Sequence, residues 1–158
     1  PDYRAAERTF QILTQVAGRA GRSPLGGRAI VQTYTPEHFA IQAARHHDYE
    51  AFYRRELAFR QEVGYPPFGR LVRLVFADAD PVRAREQAFA LHGRLASEIR
   101  RLGLPDCDLI GPAPCTLQRL RDQWRWQIMV RAADPHTLLR SLALPRGLRV
   151  DVDPVSFT

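Results

Sequence analysis

Two glycines and two prolines within six residues, Gly64-Tyr65-Pro66-Pro67-Phe68-Gly69, constrain this chain more than any other feature. Each proline removes a backbone donor and each glycine raises the entropy cost of a fixed backbone, so no helix or central strand runs through them. The 158 residues are therefore read as two parts meeting at this segment.

Before the break the pattern is helical. Residues 5–20 place Phe10, Leu13 and Ala17 at helical spacing and run into a Gly21–Gly27 stretch that ends any helix. Residues 29–34 are a short β-branched run and read as a strand. Thr35 is the expected cap, with Pro36 at the first position, of a helix toward His47. Asp48 is expected to cap another, with Phe52, Phe59 and Val63 on one face.

After the break, strands and helices alternate. Residues 71–77 read as a strand, and Asp80-Pro81 opens a helix to about 102 whose core face holds Ala88, Leu91, Leu95 and Ile99. Residues 107–110 form a short strand ended by Gly111-Pro112-Ala113-Pro114. Residues 115–121 and 124–132 pair as a hairpin across Asp122-Gln123. Asp134-Pro135 starts a helix to about 143, and 149–153 is a last strand. Strand, helix, two strands, helix, strand is the split βαβ arrangement, so an α+β domain of ferredoxin-like type is expected, with one proline-broken strand extra.

All 23 cations are arginines, and they outnumber the 17 acids. A polyanion is the first partner to consider. Residues 1–68 hold nine Arg against seven acids and residues 69–158 hold fourteen against ten, so an anion site must be a local patch. Cys107 and Cys115, eight apart, make no disulfide framework and are read as small core residues of a protein in a reducing, cytoplasmic setting. His46-His47-Asp48 has a superficial metal-like look. Adjacent histidines leave a helix on different sides, however, so no metal is expected. No apolar run is long enough to span a membrane. The chain opens Pro1-Asp2 without Met and is expected to be a piece of a longer product.

Two clusters carry chemistry. In Gln15-Val16-Ala17-Gly18-Arg19-Ala20-Gly21-Arg22, two arginines three apart share one side of a helix turn, among residues small enough for another surface to approach. A guanidinium is always charged and forks its donors, which suits a phosphate gaining charge in a transition state. Gln15, four residues before Arg19, lies on the same face; the plainer reading is a small-residue helix end in an arginine-biased chain. The second cluster is Arg119-Leu120-Arg121-Asp122-Gln123-Trp124-Arg125-Trp126-Gln127. On a hairpin Arg119 aligns with Arg121, and Trp124 with Trp126. Arginine interleaved with indole suits single-stranded or forked nucleic acid. The alternative is a core Trp pair with arginines on the wet face. Arg73, alone among apolar neighbours, is placed on the open face of the sheet, with a pocket or DNA contact as the alternative, and Asp151 and Asp153 are read as edge-strand solubility residues.

The string from Gln15 to Arg22 is similar to motif VI of superfamily 2 helicases. Asp2-Tyr3-Arg4-Ala5-Ala6-Glu7-Arg8, Gln11-Ile12-Leu13-Thr14, Ile30-Val31-Gln32-Thr33-Tyr34, Pro36-Glu37-His38 and His47-Asp48-Tyr49-Glu50-Ala51-Phe52-Tyr53 tighten the match. Tyr65-Pro66-Pro67-Phe68, Gly111-Pro112-Ala113-Pro114, Arg125-Trp126-Gln127 and Asp151-Val152-Asp153-Pro154 continue it. Together they resemble, in order and from end to end, the PriA family of primosomal replication-restart helicases (primosomal protein N′).

The resemblance implies that residues 1–45 end a second RecA-like helicase lobe, 46–68 form a helical and proline-rich connector, and 69–158 are a C-terminal domain similar to a small ribosomal-subunit protein. It implies that Arg22 and Arg19 contact the γ-phosphate of ATP in the full-length protein, with Gln15 coupling the nucleotide to the cleft. ATP and magnesium would act only there. This chain has no GxxxxGK[ST] loop and no acidic magnesium motif, so alone it is expected not to hydrolyse ATP. The family's zinc-binding cysteine cluster lies upstream and is not matched by Cys107 or Cys115. Implied partners are forked or single-stranded DNA, primosome proteins and the acidic tail of single-stranded-DNA-binding protein. Arg119, Arg121, Arg125, Trp124, Trp126 and Gln127 form the DNA and partner surface. Gln123 stands where the family often has a basic residue, so weak tail binding is expected. A cytoplasmic monomer with 3′ to 5′ polarity completes the implication.

The expected function is thus the C-terminal part of an ATP-dependent replication-restart helicase. The alternatives are a free-standing nucleic-acid-binding module, part of a homologue that has lost its ATP site, and a small-molecule enzyme of ferredoxin-like fold. The module lacks an RNP1-like string at Trp126-Gln127-Ile128-Met129-Val130, and the enzyme lacks clustered acid/base residues.

Overall fold

The computed structural model describes residues 2–20 and 27–154. They fall into two compact units, Pro1–Glu62 and Val63–Thr158.

The first unit is helical: α1 (Ala5–Ala20), α2 (Phe39–Arg45) and α3 (Tyr49–Glu62). Its core is small, with Phe10, Ala40, Ala43, Ala44 and Phe52 buried and Leu13 packed against them. Phe10 stacks on Phe52 with ring centroids 4.4 Å apart. Polar contacts add to the joint between α1 and α3. Arg60 on α3 donates to Glu56 at 2.8 Å and to Glu7 on α1 at 3.0 Å. Asp48 caps α3 as expected, its carboxylate accepting from Ala51 N at 2.9 Å.

Three expectations fail in this unit. The helix expected from Thr35 starts only at Phe39; Pro36 and Glu37 form a turn, and the His38 ring accepts from Ala40 N at 3.2 Å and takes the capping role. The stripe Phe52, Phe59, Val63 is not one buried face, because Phe59 is exposed and α1 is met by Phe52 and Arg60. Residues 29–34 form no strand. A strand needs a neighbour for its ladder, no described segment pairs with these residues, and Ile30 is 93% exposed.

The second unit is α+β. Strand β1 (Arg70–Asp78), helix α4 (Pro81–Leu102), strands β2 (Asp108–Leu120) and β3 (Gln123–Ala132), helix α5 (Pro135–Arg140) and strand β4 (Arg149–Val152) follow in order. The sheet runs β2-β3-β1-β4, antiparallel throughout. This is the split βαβ order expected from the sequence. Alternate residues Val72, Leu74, Phe76, Ile128, Val130 and Ala132 point to one face, where Ala88, Leu91 and Leu95 of α4 and Leu138 of α5 cover them. Asp80 and Asp134 cap the two helices ahead of Pro81 and Pro135. Gly103 ends α4 with φ +61°, which suits a residue without Cβ. Cys107 and Cys115 are buried free thiols, and burial raises the Cys107 thiol above its ordinary pKa.

Four readings of this unit are corrected. The two strands expected at 107–110 and 115–121 are one strand, β2, carried through Gly111-Pro112 by register shifts on either side. It lies at the edge of the sheet, where a missing proline donor breaks no ladder on the open side. Helix α5 stops at Arg140, short of the expected 143. Arg73 does lie on the face away from the helices but is only 2% exposed, and it donates to Gln127 Oε1 at 2.7 Å. Asp153 closes the sheet: its carboxylate accepts from Leu71 N at 2.9 Å and pairs with Arg70 at 2.7 Å.

Candidate nucleic-acid interface

Strands β2 and β3 form a hairpin whose tip runs past the last β1 pair, Asp78 opposite Trp124. The tip turn is Arg121-Asp122, with φ +52° and +59°, one residue earlier than expected. Two positive φ values make a type I′ turn, whose twist matches the flanking strands. Gln123 consequently belongs to β3 and pairs with Leu120.

That one-residue shift decides which side chains meet. Trp124 and Trp126 point to the helix-covered face, and Arg119 lies opposite Trp124 with its guanidinium 5.7 Å from the ring centroid. Asp122 pairs with Arg119 at 3.0 Å. Trp126 is half-buried and meets Phe89 of α4, centroids 5.8 Å apart. Arg121 sits exposed in the turn and does not align with Arg119.

Arg125 and Gln127 point the other way. Arg125 is 7% exposed and Gln127 9%, so neither is an open surface contact of the kind the sequence suggested. In an antiparallel sheet, adjacent positions face opposite sides, and the alternation that aligns the two tryptophans takes Arg125 away from them. The Arg125 side chain makes no hydrogen bond or ion pair among the described residues. It opens on a cavity of about 340 Å³ lined also by Val75, Arg121, Gln123, Gly147 and Arg149. The sequence cluster is therefore two sites, back to back across β3.

The helix-face site also recruits residues that sequence reasoning missed. Arg85 and Phe89, one turn apart on α4, join it, with the Arg85 guanidinium 5.3 Å from the Phe89 centroid. The signal was present: both follow directly on the core positions Ala84 and Ala88, so they border the buried stripe.

Of the motif VI residues, Gln15 and Arg19 are exposed near the C-terminal end of α1, and Arg22 lies outside the described residues. No helix of the described residues is long and apolar enough to cross a membrane.

Comparison with known proteins decides the family. Residues 61–155 match the model of the primosomal protein N C-terminal domain. The chain belongs to this PriA family. It is 41% identical to the replication restart protein PriA of Treponema pallidum, over 99% of this chain and 24% of that protein. It is 39% identical to that of Bacillus subtilis, over 83% of the chain and 16% of the relative. It is 40% identical to that of Synechocystis, over 98% and 19%. The chain thus spans about a quarter or less of the PriA relatives it matches, and it corresponds to their C-terminal region.

Proposed function

We propose that this chain is the C-terminal part of an ATP-dependent DNA helicase acting in replication restart, and that its own contribution is to bind forked or single-stranded DNA and primosome proteins in the cytoplasm. The observation that carries this is the match to PriA proteins along nearly the whole chain, which takes in the motif VI string as well as the C-terminal domain. In this reading residues 1–45 end a RecA-like lobe, 46–68 connect, and 69–158 form a ribosomal-protein-like domain. Arg19, on α1, and Arg22, outside the described residues, reach the γ-phosphate of magnesium-bound ATP held by another part of the longer protein. Gln15 couples that contact to the cleft. A guanidinium fork there stabilises charge that grows only in the transition state.

The cavity beside Arg125 is the place we assign to the acidic tail of single-stranded-DNA-binding protein. Arg125 supports this: its side chain lines the cavity without an ion pair among the described residues, and a guanidinium gains a charge-assisted hydrogen bond from a carboxylate. Arg121 and Arg149 add charge at the rim, so the positive charge missing at Gln123 is supplied by neighbours.

Fluorescence anisotropy of this chain with a labelled fork tests the proposal. Binding that weakens steeply between low and moderate salt is expected, since phosphate contacts release counterions. No binding to fork or single strand at low salt would overturn the nucleic-acid role.

A further inference from the structure

The hairpin and the first two turns of α4 enclose a groove of about 550 Å³ at the end of the helix-covered face. Trp124, Trp126 and Phe89 supply its ring surfaces, with Val82, Arg85, Gln118 and one acid, Glu86, around them. Phe89 and Val82 are exposed, and the core of the unit is complete without them. Each rim carries a guanidinium resting on an aromatic face, Arg85 on Phe89 and Arg119 on Trp124. The ion pair holding Arg119 to Asp122 is exposed and contributes little, so the guanidinium is free to leave the ring for a better partner.

Flat π surfaces between two cations match one ligand chemistry closely: a base with its flanking phosphates. The base stacks, the phosphates take the guanidinia, and Gln118 offers a donor and an acceptor to the base edge. A base inside a duplex has no free face to offer, so the groove selects unpaired nucleotides. An apolar peptide anchor would fill the ring surfaces but bring no anion to Arg85, which has no ion pair among the described residues.

We propose that this groove stacks unpaired bases of a single nucleic-acid strand between the β2–β3 hairpin and α4, with Arg85 and Arg119 on the adjoining phosphates. The proposal rests on the reading above that the chain binds nucleic acid, and it adds the helix residues Arg85 and Phe89 to the site.

The test is titration of the whole chain with fluorescent oligothymidylate and with a matched blunt duplex. Phe89→Leu keeps the apolar volume but removes the ring, and Trp124→Ala removes the half-buried indole at the groove. Each is expected to weaken oligothymidylate binding about five- to a hundredfold, from loss of base stacking, with duplex affinity unchanged. Arg85→Ala is expected to reduce the salt slope on the single strand by about 0.7. Trp124→Phe should restore much of the loss at that position, which a merely misfolded variant would not do. Wild-type affinity for oligothymidylate in both Phe89→Leu and Trp124→Ala overturns the groove while leaving nucleic-acid binding elsewhere intact. A chain that binds neither probe overturns the underlying reading as well. Equal losses on single strand and duplex overturn the base-stacking role in favour of a general phosphate patch.

Discussion

Arg73 on β1 and Gln127 on β3 meet across the two central strands, guanidinium Nε to Oε1 at 2.7 Å, in a part of the sheet where both are buried. Gln127 is therefore a structural partner of a buried charge. Gln127→Ala is expected to lower stability by about 1.5–3 kcal/mol, the range for a hydrogen bond to a charged group. Denaturant unfolding measures this. The consequence for function is practical: loss of partner binding in Gln127→Ala does not by itself place that partner at Gln127. Arg125, with no bonded partner, is the better probe of the cavity.

The two tryptophans should separate cleanly in a melting experiment. Trp126 packs on Phe89 and against the core, so Trp126→Ala should cost about 2–3 kcal/mol, below the usual fully buried Trp→Ala value because the ring is half-buried. Trp124 has no place in the core cluster, and its removal should shift the melting temperature far less. Equal shifts would mean that both rings are core residues and that neither indole is available for stacking.

The contrast between these residues shows what the sequence made legible. Asp80-Pro81 and Gly103 announce both ends of α4 because capping is local chemistry, and the short, apolar-rich runs at 71–77 and 124–132 announce β1 and β3. The hairpin turn slipped by one residue because Arg121 holds a positive φ without the Gly or Asn that advertises one. That slip left Arg121 off the strand, and the arginine–indole cluster divides because its residues alternate across β3. The continuity of β2 through Pro112 depends on its edge position, which only the sheet order reveals. Burial of Arg73 and recruitment of Arg85 and Phe89 depend on neighbours tens of residues away, which no local pattern encodes.

Residues 63–69 contribute to the second unit, which sets where a fragment should start. Arg131 donates to the Val63 carbonyl at 2.6 Å and lies over the Tyr65 ring at 5.8 Å. The loop is tight: a Cβ at Gly69 would stand 2.3 Å from the Gly64 carbonyl oxygen. A fragment of residues 63–158 should unfold cooperatively and be more stable than 69–158 by about 1–3 kcal/mol, the value of a charge-assisted hydrogen bond with its ring contact. Paired urea titrations decide it, and identical midpoints would mean that the loop is an unattached leader.

Arg22→Ala in the full-length protein should lower DNA-stimulated ATP turnover about a thousandfold or more, because a guanidinium finger acts mainly on the transition state. Fork affinity should stay near wild type, since in the proposed reading the side chain faces nucleotide. Parallel turnover and anisotropy measurements separate the two effects. Comparable losses in both would make Arg19 and Arg22 a DNA backbone patch.

Acid should loosen the second unit through Glu98. Hydrogen bonding from Arg101, then from Ser141, with the Arg101 charge, lowers its carboxyl from the usual value near 4.5 to about 2. A carboxyl with a folded pKa below its unfolded one binds fewer protons when folded, so stability falls as pH falls. The contribution is fully present above about pH 4.5 and is lost as the pH drops toward 2, through the folded value. Asp134 shifts in the same direction through the His136 amide and Thr137 hydroxyl at the α5 cap, so that cap also weakens in acid. Glu98→Gln removes the titrating carboxylate, so it should lower the melting temperature at neutral pH and flatten its decline between pH 5 and 2 relative to wild type. Parallel pH–melting curves for the two proteins would show that Glu98 does not hold α4 in the acid range.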